Sequence, residues 1–105
     1  MIERRFTVED PGFVSVVTMV EMVWVLGSFY KKSNEEVARI VRRLLQIETL
    51  VIQHEQEVFA AVVALSSGLG SFDDALIGAL SGSAGCASTL TFDKKALRLG
   101  GFERP

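Results

Sequence analysis

Apolar positions fall into two rhythms along the chain. Val37, Ile40, Val41, Leu44 and Leu45 recur at the helical period, with Arg39, Arg42 and Arg43 on the other face. Ser33-Asn34-Glu35-Glu36 precedes them as a capping box, so a helix is predicted from that point. Glu55 to Ser66 predicts a second helix with Val58, Phe59, Val62 and Leu65 inward, ended by Gly68-Leu69-Gly70. Asp73 to Ser83 predicts a third, with Ala75, Leu76, Ala79 and Leu80 packed closely and Gly85 stopping it. Val16 to Phe29 is apolar nearly all round behind a Ser15 cap; it predicts a helix buried on most sides.

Short apolar runs supply the second rhythm. Phe13-Val14-Ser15 and Thr49-Leu50-Val51-Ile52 read as buried strands, and Ser88-Thr89-Leu90-Thr91-Phe92 as a final strand. Asp10-Pro11-Gly12 is a turn signal, and residues 1–10 read as an N-terminal arm or the remnant of a helix. Asp93 opens a short last helix through Leu97. The order β-α-α-β-α-α-β-α separates every pair of strands by helices, which implies parallel pairing in an α/β layer structure.

Composition bounds what such a fold can be. The 105 residues suit one domain, and 49% hydrophobic with 23% charged residues exclude a disordered chain. A net charge of −2 argues against a histone-like or ribosomal protein. One cysteine excludes an intrachain disulfide and a cysteine zinc cluster, and a reduced, cytoplasmic setting fits it. Val14 to Tyr30 is nearly free of charge, but Glu21 interrupts it and Lys31-Lys32 close it, so a core helix is expected and not a membrane span. Cys86 is expected as a small buried residue and Trp24 as core; His54 is expected exposed at a helix start. Gly68-Leu69-Gly70 follows a helix, so no dinucleotide fingerprint is present, and no H-E-x-x-H occurs.

Candidate chemistry rests on acids. Sites in open α/β sheets lie beyond the carboxyl ends of the strands. Asp93 directly follows the last predicted strand. Glu21 stands in the second turn of the helix after Phe13-Val14-Ser15, and Asp74 opens the helix after Gly70-Ser71. Each sits among apolar residues, where a carboxylate is costly unless paired or bound to a cation. Converging carboxylates without histidine suit Mg²⁺ or Mn²⁺. An acid in a first helical turn also satisfies the helix dipole, which is the other reading of Asp73 and Asp93.

Three segments together resemble one family. Ser15-Val16-Val17-Thr18-Met19-Val20-Glu21, Phe72-Asp73-Asp74-Ala75-Leu76-Ile77-Gly78-Ala79, and Gly85-Cys86 leading to Thr89-Leu90-Thr91-Phe92-Asp93-Lys94-Lys95-Ala96 resemble, in order, motifs of PIN domains, most of all VapC-type toxins. The resemblance implies a three-layer α/β/α fold with a short parallel sheet, and a Mg²⁺- or Mn²⁺-dependent endoribonuclease paired with an antitoxin. It makes Glu21, Asp74 and Asp93 metal-site acids, Thr91 an orienting hydroxyl and Asp73 an outer-shell neighbour. RNA would approach along Lys94, Lys95 and Arg98. The family's first strand, the central one, ends in an aspartate within an Asp-Thr-Asn type motif, and no such motif occurs here. Glu9 and Asp10 lie at the amino end of their strand and do not replace it. The chain is therefore expected to start inside the second helix or its loop. The sheet's open edges are expected to be covered in a homo-oligomer, by strand or segment exchange. Two further readings stand beside the enzyme: a non-catalytic PIN-like fragment that only binds partners, and a small α/β binding domain with no relation to the family.

Overall fold

The computed structural model describes residues 5–87, 89–90, 96 and 100–104. They form β1 (Gly12–Val14), α1 (Val16–Ser28), α2 (Asn34–Leu45), β2 (Leu50–Ile52), α3 (Glu55–Ser66), α4 (Phe72–Ser83), β3 (Thr89–Leu90) and β4 (Phe102–Glu103).

Serine caps start three of the four helices. The Ser15 hydroxyl accepts the Thr18 N–H at 3.1 Å, and the Ser71 hydroxyl accepts that of Asp74 at 3.4 Å. Ser33 and Glu36 close the full box: Glu36 N–H donates to Ser33 Oγ at 3.2 Å and Ser33 N–H to Glu36 Oε1 at 3.1 Å. The Ser33 backbone bond to the Glu36 carboxylate, then the Ser33 hydroxyl, hold the Glu36 pKa below its ordinary value. A depressed carboxylate contributes stability above its unfolded pKa, and the contribution is lost as pH falls through the folded value. Ser33→Ala should therefore cost about 1 kcal/mol at pH 7 in urea melts, and the deficit should shrink in acid. α3 starts differently, with His54 in the left-handed region (φ 54°), exposed, and no side-chain cap.

β1 and β2 pair in parallel, with Gly12 opposite Leu50, Phe13 opposite Val51 and Val14 opposite Ile52. Gly12 N–H donates to Thr49 C=O, and Gln53 N–H donates to Val14 C=O, both at 2.9 Å. Gly12 and Val14 thus spend their backbone groups on β2, and those of Phe13 face the opposite edge. β3 and β4 form a separate parallel pair, Thr89 opposite Phe102 and Leu90 opposite Glu103. Thr89 N–H donates to Gly101 C=O at 2.6 Å, so Leu90 is the residue facing away from β4. Phe13 and Leu90, each on an edge that no described strand pairs, are 64% and 65% exposed.

The core joins α1 to α4 through Met19, Val37, Val41, Ile52, Val58, Val62, Phe72 and Leu76, all buried. The chain before β1 is tied down: Thr7 and Asp10 exchange backbone hydrogen bonds at 3.1 and 3.2 Å, and the Phe6 ring lies over Gly12, where a Cβ would come within 2.9 Å of it. Gly78 has a similar role. A Cβ there would lie 2.8 Å from the Phe102 ring. Gly78→Ala should push that ring away and loosen β4, so amide exchange at Thr89 should speed up while the core helices stay protected.

Several expectations need correction. α1 is not buried on most sides: Met19 alone of its residues is fully buried, while Val17, Trp24 and Val25 are exposed. It packs mainly on α2 and α4. Trp24 is 66% exposed and so is not core. Phe59 is 46% exposed, because the inward stripe of α3 runs through Val58, Ala61, Val62 and Leu65. Cys86 is exposed: its N–H serves Ser81 C=O in the turn after α4, a backbone role that leaves the thiol outside. β4 was not anticipated. The predicted helix Asp93–Leu97 lies outside the described residues except for Ala96, which is buried. Among the described residues no helix is long and apolar enough to cross a membrane.

Candidate active site

Glu21 stands on the exposed side of α1. Its helical neighbours Val17, Trp24 and Val25 share that side at spacings of three and four. The apolar setting expected for Glu21 is therefore present, but it faces outward and is not interior.

Asp73 and Asp74 open α4 directly after the Ser71 cap. Asp73 is exposed and Asp74 half-buried. The cap bond engages the Asp74 backbone N–H, so it fixes the first turn and with it the point from which the carboxylate projects. Phe72, between cap and acids, is buried in the core and anchors this end of the helix.

A groove of about 530 Å³ separates α1 from the start of α4. Val20, Val23, Leu65 and Phe72 give it an apolar floor, and Trp24, Asn34, Leu69, Ser71 and Asp73 border it. Of the predicted acids, Asp73 borders the groove, while Glu21 and Asp74 do not. Sequence reasoning missed Trp24 and Asn34 here. One signal was available: Trp24 follows Glu21 by three residues and so shares its side of the helix.

The donor chemistry of Glu21 and Asp74, carboxylate oxygens without nitrogen or sulfur, is of the kind a hard cation takes. Among the described residues, however, no three acids, histidines or cysteines come together as a metal site. Thr91, Asp93, Lys94, Lys95 and Arg98 lie outside the described residues. On β3, the Thr89 hydroxyl is buried and has no hydrogen-bond partner among the described residues.

No curated protein and no solved structure matches the chain. The family model of the PIN domain does, over residues 2–101. PIN domains are α/β proteins, in general nucleases that act on RNA with divalent metal ions. With β1 and β2 parallel across α1 and α2, and a match over almost its whole length, this chain belongs to the PIN-domain family.

Proposed function

We propose that the chain is a Mg²⁺- or Mn²⁺-dependent endoribonuclease of the VapC type, cytoplasmic and controlled by a cognate antitoxin. The observation that carries this reading is the family match, because residues 2–101 include all three acid-bearing motifs in order. Glu21, Asp74 and Asp93 would hold the cation, with Asp73 beside them and Thr91 orienting the site. A cation held by such carboxylates supplies charge stabilisation and an activated water for phosphodiester hydrolysis. The protein's own part is placement. Ser71 and Phe72 hold the first turn of α4, and Ser15 holds the first turn of α1, so both acid-bearing helices begin at fixed points. Lys94, Lys95 and Arg98 would meet the RNA backbone. The test is cleavage of labelled single-stranded RNA by the purified chain. Cleavage is expected with Mg²⁺ or Mn²⁺ and not with EDTA, and equal cleavage in EDTA would contradict the reading.

A second reading is supported by the open edges of β1 and β3: a non-catalytic role in partner binding. Strand edges that no described strand pairs, carrying exposed Phe13 and Leu90, are templates for another strand. A homo-oligomer formed by strand or segment exchange would cover them. Sedimentation should then show a dimer or larger species; a stable monomer with native spectra would count against it.

A further inference from the structure

We propose that the outer face of α2 and the groove at its amino end form one path for single-stranded RNA, with Lys32, Arg39 and Arg43 holding phosphates and Trp24 stacking a base. The choice of RNA rests on the nuclease reading above; the path itself rests on charge and geometry.

Five of the chain's eleven basic residues fall between Lys31 and Arg43, against Glu35 and Glu36 alone, in a protein whose net charge is −2. All five are exposed. Arg42 is accounted for, since its Nη2 donates to Ser66 Oγ at 3.2 Å. Lys32 reaches Glu36 only at 3.9 Å, with both side chains nearly half exposed, which is a weak pair. Arg39 and Arg43 have no ion pair among the described residues, and their four-residue spacing puts them on one side of α2. With Lys32 they line a shallow hollow of about 240 Å³.

Dipole satisfaction does not explain the cluster. It favours cations in the last turn of a helix, which suits Arg42 and Arg43. Lys31 and Lys32 stand at the opposite end, where the dipole disfavours them, and Arg39 is mid-helix. A polyanion running along the face accounts for the whole set.

The basic hollow and the groove share the first turn of α2. Lys32 and Glu36 line one, and Asn34 lines the other together with Trp24. A strand lying on the α2 cations therefore delivers its next nucleotide to an exposed indole over an apolar floor. Basic track plus stacking platform is the recurrent design for holding single strands. Asp73, on the groove border, keeps phosphates on the α2 side by repulsion.

Trp24 is the only tryptophan, so its fluorescence reports the proposed contact directly. The experiment uses the full chain in EDTA, a fluorescein-labelled mixed-sequence 12-nucleotide RNA, anisotropy for binding and tryptophan emission for stacking. RNA should quench Trp24. Arg39→Glu with Arg43→Glu should weaken binding at least about tenfold and flatten the salt dependence. Arg5→Glu with Arg104→Glu changes net charge equally and should leave binding near wild type. Should the glutamate pair fail to fold by circular dichroism, Arg39→Gln with Arg43→Gln should still weaken binding severalfold. Unquenched Trp24 at saturating RNA, or equal losses in the α2 and control variants, would overturn the path. Poly-glutamate binding as tightly as RNA would overturn it in favour of an acidic protein partner. Because EDTA stops cleavage, RNA binding with no cleavage on adding Mg²⁺ would sink the nuclease reading alone. Cleavage and binding unaffected in the α2 variants would sink this path alone.

Discussion

Asp74→Asn should abolish metal-dependent RNA cleavage, by roughly 100-fold or more, and leave the protein folded. The substitution keeps the side-chain shape and removes its charge. The bond that fixes the start of α4 runs from the Asp74 backbone N–H to Ser71, so it survives. Among what the fold loses is a carboxylate in the first turn, with about 0.3–1 kcal/mol of dipole interaction. For a chain of this size that is a few degrees in Tm. Activity and stability should therefore separate cleanly, with cleavage gone and melting nearly unchanged. Unchanged cleavage would show that Asp74 is not a ligand and that the site is misassigned.

Phe72→Ala should produce the largest loss of stability, about 3–5 kcal/mol. Phe72 is among the largest fully enclosed side chains and packs into the core from the first turn of α4. A small domain holds only about 5–15 kcal/mol in total, so this one truncation removes a large share. The effect should reach the site as well, because Phe72 sits between the Ser71 cap and Asp73-Asp74. Ile77→Ala, on the same helix but nearly half exposed, should cost about 1 kcal/mol or less. Urea denaturation of the two variants side by side reads the difference.

Local chemistry was legible in the sequence, and solvent exposure was not. Ser15, Ser33 and Ser71 mark their helix starts through hydroxyls that act within three residues, so a short window suffices. Parallel pairing followed from the helices between the first two strands and holds for β1 and β2. Exposure depends on what lies opposite. Val17, Trp24 and Val25 read as core because they are apolar, yet they are exposed on the outer side of α1. The same limit hid the groove, since Trp24 and Asp73 are far apart in sequence and line one groove only through packing of α1 near α4. β4 was invisible for another reason: Phe102-Glu103 is too short to show a period, and its pairing depends on the Gly100-Gly101 turn before it. Of the site, the acids were legible as types in motifs. Whether they share a site depends on tertiary structure, which a short window of sequence does not carry, and Asp93 falls outside the described residues.

The central claim is that Glu21 and Asp74 belong to one cation site. Calorimetric titration of Mn²⁺ into the wild type, Glu21→Gln and Asp74→Asn, without RNA, tests it most directly. The account predicts saturable binding by the wild type and at least about tenfold weaker binding by each variant. Equal affinity in all three proteins would contradict it.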